Sequence, residues 1–386
     1  AVDASTPPSA ICPVCGATPA HDPAHGYRII NVSEPKGFRT WFGGSRDFDG
    51  NFEWTPRGSN PRVGFKSLTM TSCANFDVWS GTDTVYVIND NDGKFFDFER
   101  LAQGSTWVTR DALDRSGRTN PALDLAVGGQ IDPRALASIK PTDVLVVGIR
   151  HWPSGVKCSP LTVAGRAALL SFGYLVRRAI AVRLDIDERE IKVGTRVMQD
   201  RSGQVVGQVF ISDSLENGAG YSSVFGNPAV AQDLLEYIVG QASQVFYGPL
   251  AGDPHRTDCR TSCPDCLRDF SNLVFHSILD WRVALDLARL ALDPGAPMDF
   301  TVPYWQGMDI LASDPYFRAV GLQPTQFGGL VAGQDGNNVE IITHPLWDCD
   351  PSRFGPALAS AHAHALAAGA TDVQFKSVFE ILRRPY

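Results

Sequence analysis

With 386 residues, 44% of them hydrophobic and 20% charged, the chain is long enough for one large core or two to three ordinary ones. That balance excludes a disordered chain, and the longest apolar runs are broken by Arg or Asp before they could span a bilayer. A net charge of −8 excludes a protein that coats nucleic acid by bulk charge, though a local basic track stays compatible with it. Eight cysteines are too sparse for a disulfide scaffold, and five of them fall in two tight clusters. That is metal-binding usage in a reducing compartment. The N-terminal Ala is compatible with a mature secreted product and equally with a fragment boundary; the expectation is a cytoplasmic protein with no membrane partner, or the C-terminal piece of one.

The first cluster, "ICPVCGATPAHDPAH", lies in residues 1–25. Cys12 and Cys15 followed by Gly16 have the form of a zinc knuckle, in which the glycine permits the tight turn that aims amides at the sulfurs. His21 and His25 offer one completing pair. A second Cys-x2-Cys before residue 1 offers another, making this stretch part of a zinc ribbon. The competing reading is a loop with free thiols.

Residues 26–140 read as β-rich, with strands in "YRIINV", "FKSLTMTS", "TDTVYVIND" and "KFFDFE" separated by Gly, Asn and Asp turns. "NDNDGK" is a hairpin turn; the Gly and Glu that would complete a calcium loop are missing. Between residues 35 and 66, Lys36, Arg39, Arg46, Arg57, Arg62 and Lys66 outnumber Asp47, Asp49 and Glu53. They alternate with Phe38, Trp41, Phe42, Trp54 and Phe65. Basic groups can follow phosphates while rings stack on unpaired bases; equally, the rings can fill a small core beneath solvated charges.

Residues 141–292 read as a mixed α/β domain. "TDVLVVGI" is a buried strand, and residues 159–184 form a long helix opened by Ser159 and Pro160. "REIKVGTRVM" and "VVGQVFISD" are strands, and residues 227–246 a further helix. In "SDSLENGAGYSSVFG", Gly218 and Gly220 let the backbone turn sharply off a strand end. No Gly-Lys-Ser/Thr follows, so it is no P-loop. The second cysteine cluster comes next, with Cys259, Cys263 and Cys266 spaced C-x3-C-x2-C. Such thiolates can converge on a tetrahedral Zn2+. His276, His255 and Cys158 are the candidate fourth ligands. Buried free thiols, or a redox pair at Cys263 and Cys266, are the alternatives.

Past the Pro/Gly linker "LDPGAPMD", residues 301–386 read as an α/β segment. It comprises the strand "VEIITHPLWD", the Ala-rich helix "GPALASAHAHALAAG" and "TDVQFKSVFEILRRPY". His362 and His364, two apart on that helix, point about 200° apart and cannot share an ion. The fold class expected is α+β: a mixed sheet with packed helices and a Cys-rich zinc-binding insertion, preceded by a small β-rich segment with a ribbon-like knuckle.

The segments "TDVLVVGI", "VFISDSLENGAGY" and "CRTSCPDCLRDFSN", with the following His and "LDWR", resemble the MrfA-type zinc-binding domain family. That family occurs at the C-terminus of DEAD/DEAH-box (superfamily 2) helicases and in DISARM- and Druantia-type antiphage defence proteins. "EPKGFRTWF" and "VYVINDNDGKFFDFE" resemble segments preceding that domain. The resemblance spans roughly residues 10–290 and fades after 300. It implies zinc on Cys259, Cys263 and Cys266. Relatives with a fourth cysteine after the C-x2-C pair have no counterpart here, which makes His276 the substitute.

Gly-x4-Gly-Lys-Ser/Thr, a DEAD or DEAH box and a helicase arginine motif are all missing from the sequence. The chain alone is therefore not expected to hydrolyse ATP. A helicase motor would lie upstream in the same polypeptide or in a separate subunit, with DNA as the shared partner. The function expected is a zinc-stabilised accessory module of a helicase or antiphage complex. The alternative is a hydrolytic nuclease built on the acids of "SDPYF", "GQDGNN" and "VEIITHPLWD", although no E-x-K pair completes that site.

Overall fold

The computed structural model describes residues 32–34, 60–64, 67–89, 95–101, 107–109, 127–199 and 205–383. Cys12, Cys15, Lys36, Arg39, Arg46 and Arg57 lie outside the described residues. The chain divides into two units, one of residues 1–66 and 83–141 and the other of residues 67–82 and 142–386.

The described strands are β1 (Val32–Ser33), β2 (Asn60–Val63), β3 (Thr69–Cys73), β4 (Phe76–Asn89), β5 (Phe96–Leu101), β6 (Trp107–Thr109), β7 (Val127–Ile149), β8 (Ile191–Gln199), β9 (Val205–Asp213), β10 (Gln323–Phe327), β11 (Leu330–Asp335), β12 (Asn338–Thr343) and β13 (Asp372–Ser377). In the first unit β2 pairs antiparallel with Val85–Ile88 of β4. There β5 lies antiparallel between β6 and the first part of β7. Arg62 lies exposed on β2.

The second unit holds the larger core. Here β3 forms a hairpin with Phe76–Ser80, while Val144–Val147 pairs antiparallel with β9, which in turn pairs with β8. Helix α1 (Val163–Leu184) lies on β8 and β9 and is buried around most of its circumference. Gly173 allows that close approach: a Cβ there would stand 2.6 Å from a Val193 methyl and 2.8 Å from a Val209 methyl. The helix starts later than the sequence suggests. Its N-cap is Thr162, whose hydroxyl accepts from the Gly165 amide at 3.1 Å. Ser159 and Pro160 belong to the preceding turn, in which Thr162 donates back to the Ser159 carbonyl.

Helix α2 (Pro228–Val239) is capped by Asn227 with Pro228 in its first turn, and it ends at Gly240, short of Phe246. The next residues fold into a turn whose Ser243 hydroxyl accepts from the Phe246 amide. Helix α3 (Trp281–Leu292), capped by Asp280, is buried along nearly its whole length. Helices α4 (Met308–Val320) and α5 (Pro356–Ala367) follow. The core is continuous from Phe76 on β4 through α1, α2 and α3 to Tyr304, Trp305, Phe317 and Ile381, so it runs through the Pro/Gly stretch at 293–298 without a break.

A second sheet orders its strands β10-β11-β12-β13. Its β12 and β13 are parallel and joined through α5. Leu358, Ala361 and Ala365 of that helix pack on Leu330, Ala332, Val339 and Ile341, the small alanines bringing helix and sheet close. His362 faces the rings of Phe354 and Phe375, whereas His364 is exposed and bonds the Ser360 carbonyl, so the two histidines part company. No helix among the described residues is long and apolar enough to cross a membrane.

Candidate metal centre

The cysteine cluster grows from two short local structures. His255–Asp258 is a single helical turn, and the Cys259 amide closes it on the His255 carbonyl at 2.9 Å. Residues four apart share one helical face, so His255 and Cys259 point the same way. Seven residues after Cys259 the chain completes a second turn. The Cys263 carbonyl takes the amides of Cys266, Leu267 and Arg268, and the Cys263 amide points at Cys266 Sγ at 3.0 Å.

These turns bring four donor atoms together. Cys259 Sγ lies 4.0 Å from Cys266 Sγ, and Cys263 Sγ lies 3.5 Å from His255 Nε2. All four atoms fall within 4.8 Å of one another. A tetrahedral ion with metal–sulfur bonds of ~2.3 Å requires ligand separations of roughly 3.5–4 Å, close to those found. His255 is also held in the right tautomer. Its Nδ1 lies 3.0 Å from the Leu250 carbonyl, which can only accept, so Nδ1 carries the proton and Nε2 offers a lone pair to the centre. The donor set fits a metal ion.

The thiols differ in how readily they ionise. Cys259 is held down to about 4 by its hydrogen bond from Cys266, with His255 assisting against the opposing effect of burial. Cys266 is pushed up by its bond to Cys259 and by burial. Cys259 is thus the thiol most readily ionised, and a divalent cation would favour ionisation of the other two.

The sequence reading chose His276 as fourth ligand, and the structure places it elsewhere. Its Nε2 lies 2.8 Å from Asn272 Oδ1 and 3.0 Å from the Asp269 carbonyl, where it closes the short helix Phe270–Phe275. That turn is anchored further by Arg177, which bonds Glu188, Asp269 and Ser271. Cys158 is buried before α1 and points to the Gly165 carbonyl; burial raises its thiol to about 12. His255 alone of the three candidates joins the sulfurs.

Behind the ligands stands the start of α3. Trp281 donates its indole N–H to the Cys259 carbonyl at 3.0 Å and packs its ring edge-on to His255, with centroids 5.1 Å apart. The fully buried Arg282 reaches the carbonyls of Arg256, Cys259, Arg260 and Tyr304. One turn further along, the buried Asp286 accepts from Tyr304 Oη at 2.7 Å, Trp305 Nε1 at 2.8 Å and His344 Nε2 at 3.1 Å. Sequence inspection missed this network.

The glycine loop after β9 is built around an internal anion. The buried Asp213 carboxylate accepts from the amides of Ala219, Tyr221 and Ser222 and from the Ser222 hydroxyl. Those amides are the ones a phosphate would need, and they are taken. Gly218 has φ +77°, and a Cβ there would collide with the Asp143 carboxylate. Asp213→Ala should cost about 3 kcal/mol or more, because several buried donors lose one charged acceptor. Urea denaturation checks this; a shift under about 1 kcal/mol would show that the loop supports itself.

No protein-family profile and no curated protein matches the chain. Among solved structures, the crystal structure of the DUF1998 helicase MrfA bound to DNA is similar at 12% identity, covering 60% of this chain and 24% of that one, with a TM-score of 0.35. The same helicase bound to DNA and AMPPNP gives 12% identity, coverage of 59% and 22%, and a TM-score of 0.27. This chain thus spans about a quarter of the length of those helicase chains.

Proposed function

We propose that the chain is a zinc-stapled accessory module working in the cytoplasm beside a superfamily 2 DNA helicase motor or within an antiphage defence complex. In that role it supports nucleic-acid engagement and partner docking. The observation that carries this reading is the convergence of Cys259, Cys263, Cys266 and His255 within 4.8 Å. Four protein ligands close a tetrahedral site and leave no position for water or substrate, which is the structural kind of zinc site.

The helicase and DNA context rests on the sequence resemblance and on the basic, aromatic stretch at residues 35–66. The motor is in the same polypeptide or in a separate subunit. The nuclease reading has less behind it. Among the described residues, the acids of residues 301–383 form no group of three or more candidate metal ligands.

Metal analysis of the purified chain should find about one zinc per chain at this centre. Fluorescence anisotropy with a labelled single-stranded oligonucleotide tests the second half of the proposal. Reversing Arg39 and Arg57 to Glu should weaken binding alike on all sequences, since phosphate contacts carry no base information. A small number of such contacts gives a salt slope of about 2–4. A metal-free, folded protein would end the zinc reading, and equal binding by the double variant would remove residues 35–66 from the nucleic-acid path.

A further inference from the structure

Arg282 is fully buried, yet among the described residues no carboxylate lies within ion-pairing distance of its guanidinium. Its four side-chain hydrogen bonds all go to neutral carbonyls: Nε to Tyr304 at 2.8 Å, Nη1 to Cys259 at 3.1 Å and Arg260 at 3.0 Å, and Nη2 to Arg256 at 2.7 Å. Asp280, the nearest acid in sequence, takes only the Arg282 backbone amide and pairs its other oxygen with Arg383 at 3.1 Å. One face of the guanidinium lies over the Trp281 ring, 4.2 Å from its centroid.

A cation at such depth without an ion-paired carboxylate costs several kcal/mol. Carbonyl dipoles and a π face lower that cost but supply no countercharge. The negative charge acting on Arg282 comes first from Asp280, which is shared with Arg383, and then from the sulfurs of Cys259 and Cys266. A divalent ion held by three thiolates and one neutral imidazole carries one net negative charge.

We propose that Arg282 is the positioning residue and countercharge of the metal centre. Its charge balances the thiolate–metal unit, and its bonds to residues 256, 259 and 260 fix the loop that carries His255 and Cys259. This rests on the metal reading above and adds to it a source of affinity outside the four ligands. Outer-shell partners of this kind are worth roughly 10–100-fold in metal affinity.

The test is zinc affinity, measured on the full chain by chelator competition with circular dichroism as the fold control. Arg282→Met, which removes charge and hydrogen bonds at similar bulk, should bind zinc about 10–100-fold more weakly. Arg282→Lys keeps the charge and loses most of the bonds, so it should stay within about threefold of the parent on the countercharge account. Should the Met variant fail to fold, the Lys variant decides alone. A Lys variant as weak as the Met variant, or about tenfold weaker than the parent, overturns the charge role, and so does a Met variant that binds like the parent. A parent chain without stoichiometric zinc instead overturns the metal reading itself, so the two failures are told apart.

Discussion

Replacing Cys266 by Ala should empty the centre and loosen the fold together. Cys266 is 1% exposed, belongs to the main core and receives the Cys263 amide, so its loss removes a ligand, a packing atom and a hydrogen-bond acceptor. Structural zinc contributes about 10–16 kcal/mol to the folding of small fingers. Here a large core shares the burden, and a loss of several kcal/mol, or about 10 °C in Tm, is expected. Zinc should fall from about one per chain towards zero. His255→Ala should do the same, whereas His276→Ala should keep its zinc and lose only the bonds that close the Phe270–Phe275 turn. Metal analysis and calorimetry on the three variants settle the ligand set. Zinc retained without His255 and lost without His276 would reverse the assignment.

The second large effect should come from a residue with no part in metal binding. Asp286→Ala strands the Tyr304 hydroxyl, the Trp305 indole and the His344 ring in a core where all three side chains are at most 1% exposed. Each buried donor left without a partner costs about 1–3 kcal/mol, so a total of about 3 kcal/mol or more is expected. Urea unfolding should show a lower midpoint with an unchanged slope. Asp286→Asn, which keeps an acceptor oxygen, should cost less. If both variants unfold like the parent, the network is not what orders this part of the core.

What was legible in the sequence was local. The apolar runs at 142–149 and 205–213 formed strands, and Asn227-Pro228 opened a helix as a capping residue and an N-terminal proline should. The Cys-x2-Cys turn formed and brought its sulfurs towards Cys259. Misreadings came where two signals of equal local strength competed. Ser159-Pro160 and Thr162 could each begin α1, and only the turn before the helix decides between them. His276 and His255 flank the cysteines, and the useful clue was spacing: His255 and Cys259 are four apart, one helical turn. The ties of Arg282 to the ligand loop and of Asp286 to His344 span 22 to 58 residues and have no local signature.

The membership of residues 67–82 in the second unit bears on how the protein is made. Asn75 donates its amide to the carbonyls of His151 and Leu290, and its backbone N–H goes to Ala291, a partner 216 positions later in the chain (291 − 75). Phe76 and Val78 beside it have no exposure in the finished protein. On the ribosome this hairpin emerges before α3, and at about 5–20 residues per second it waits roughly 10–40 s for α3 to be synthesised. Throughout that interval its apolar side chains and open strand edge face solvent. The nascent chain is then a natural client for a holdase chaperone, and its vulnerable period ends with the translation of α3.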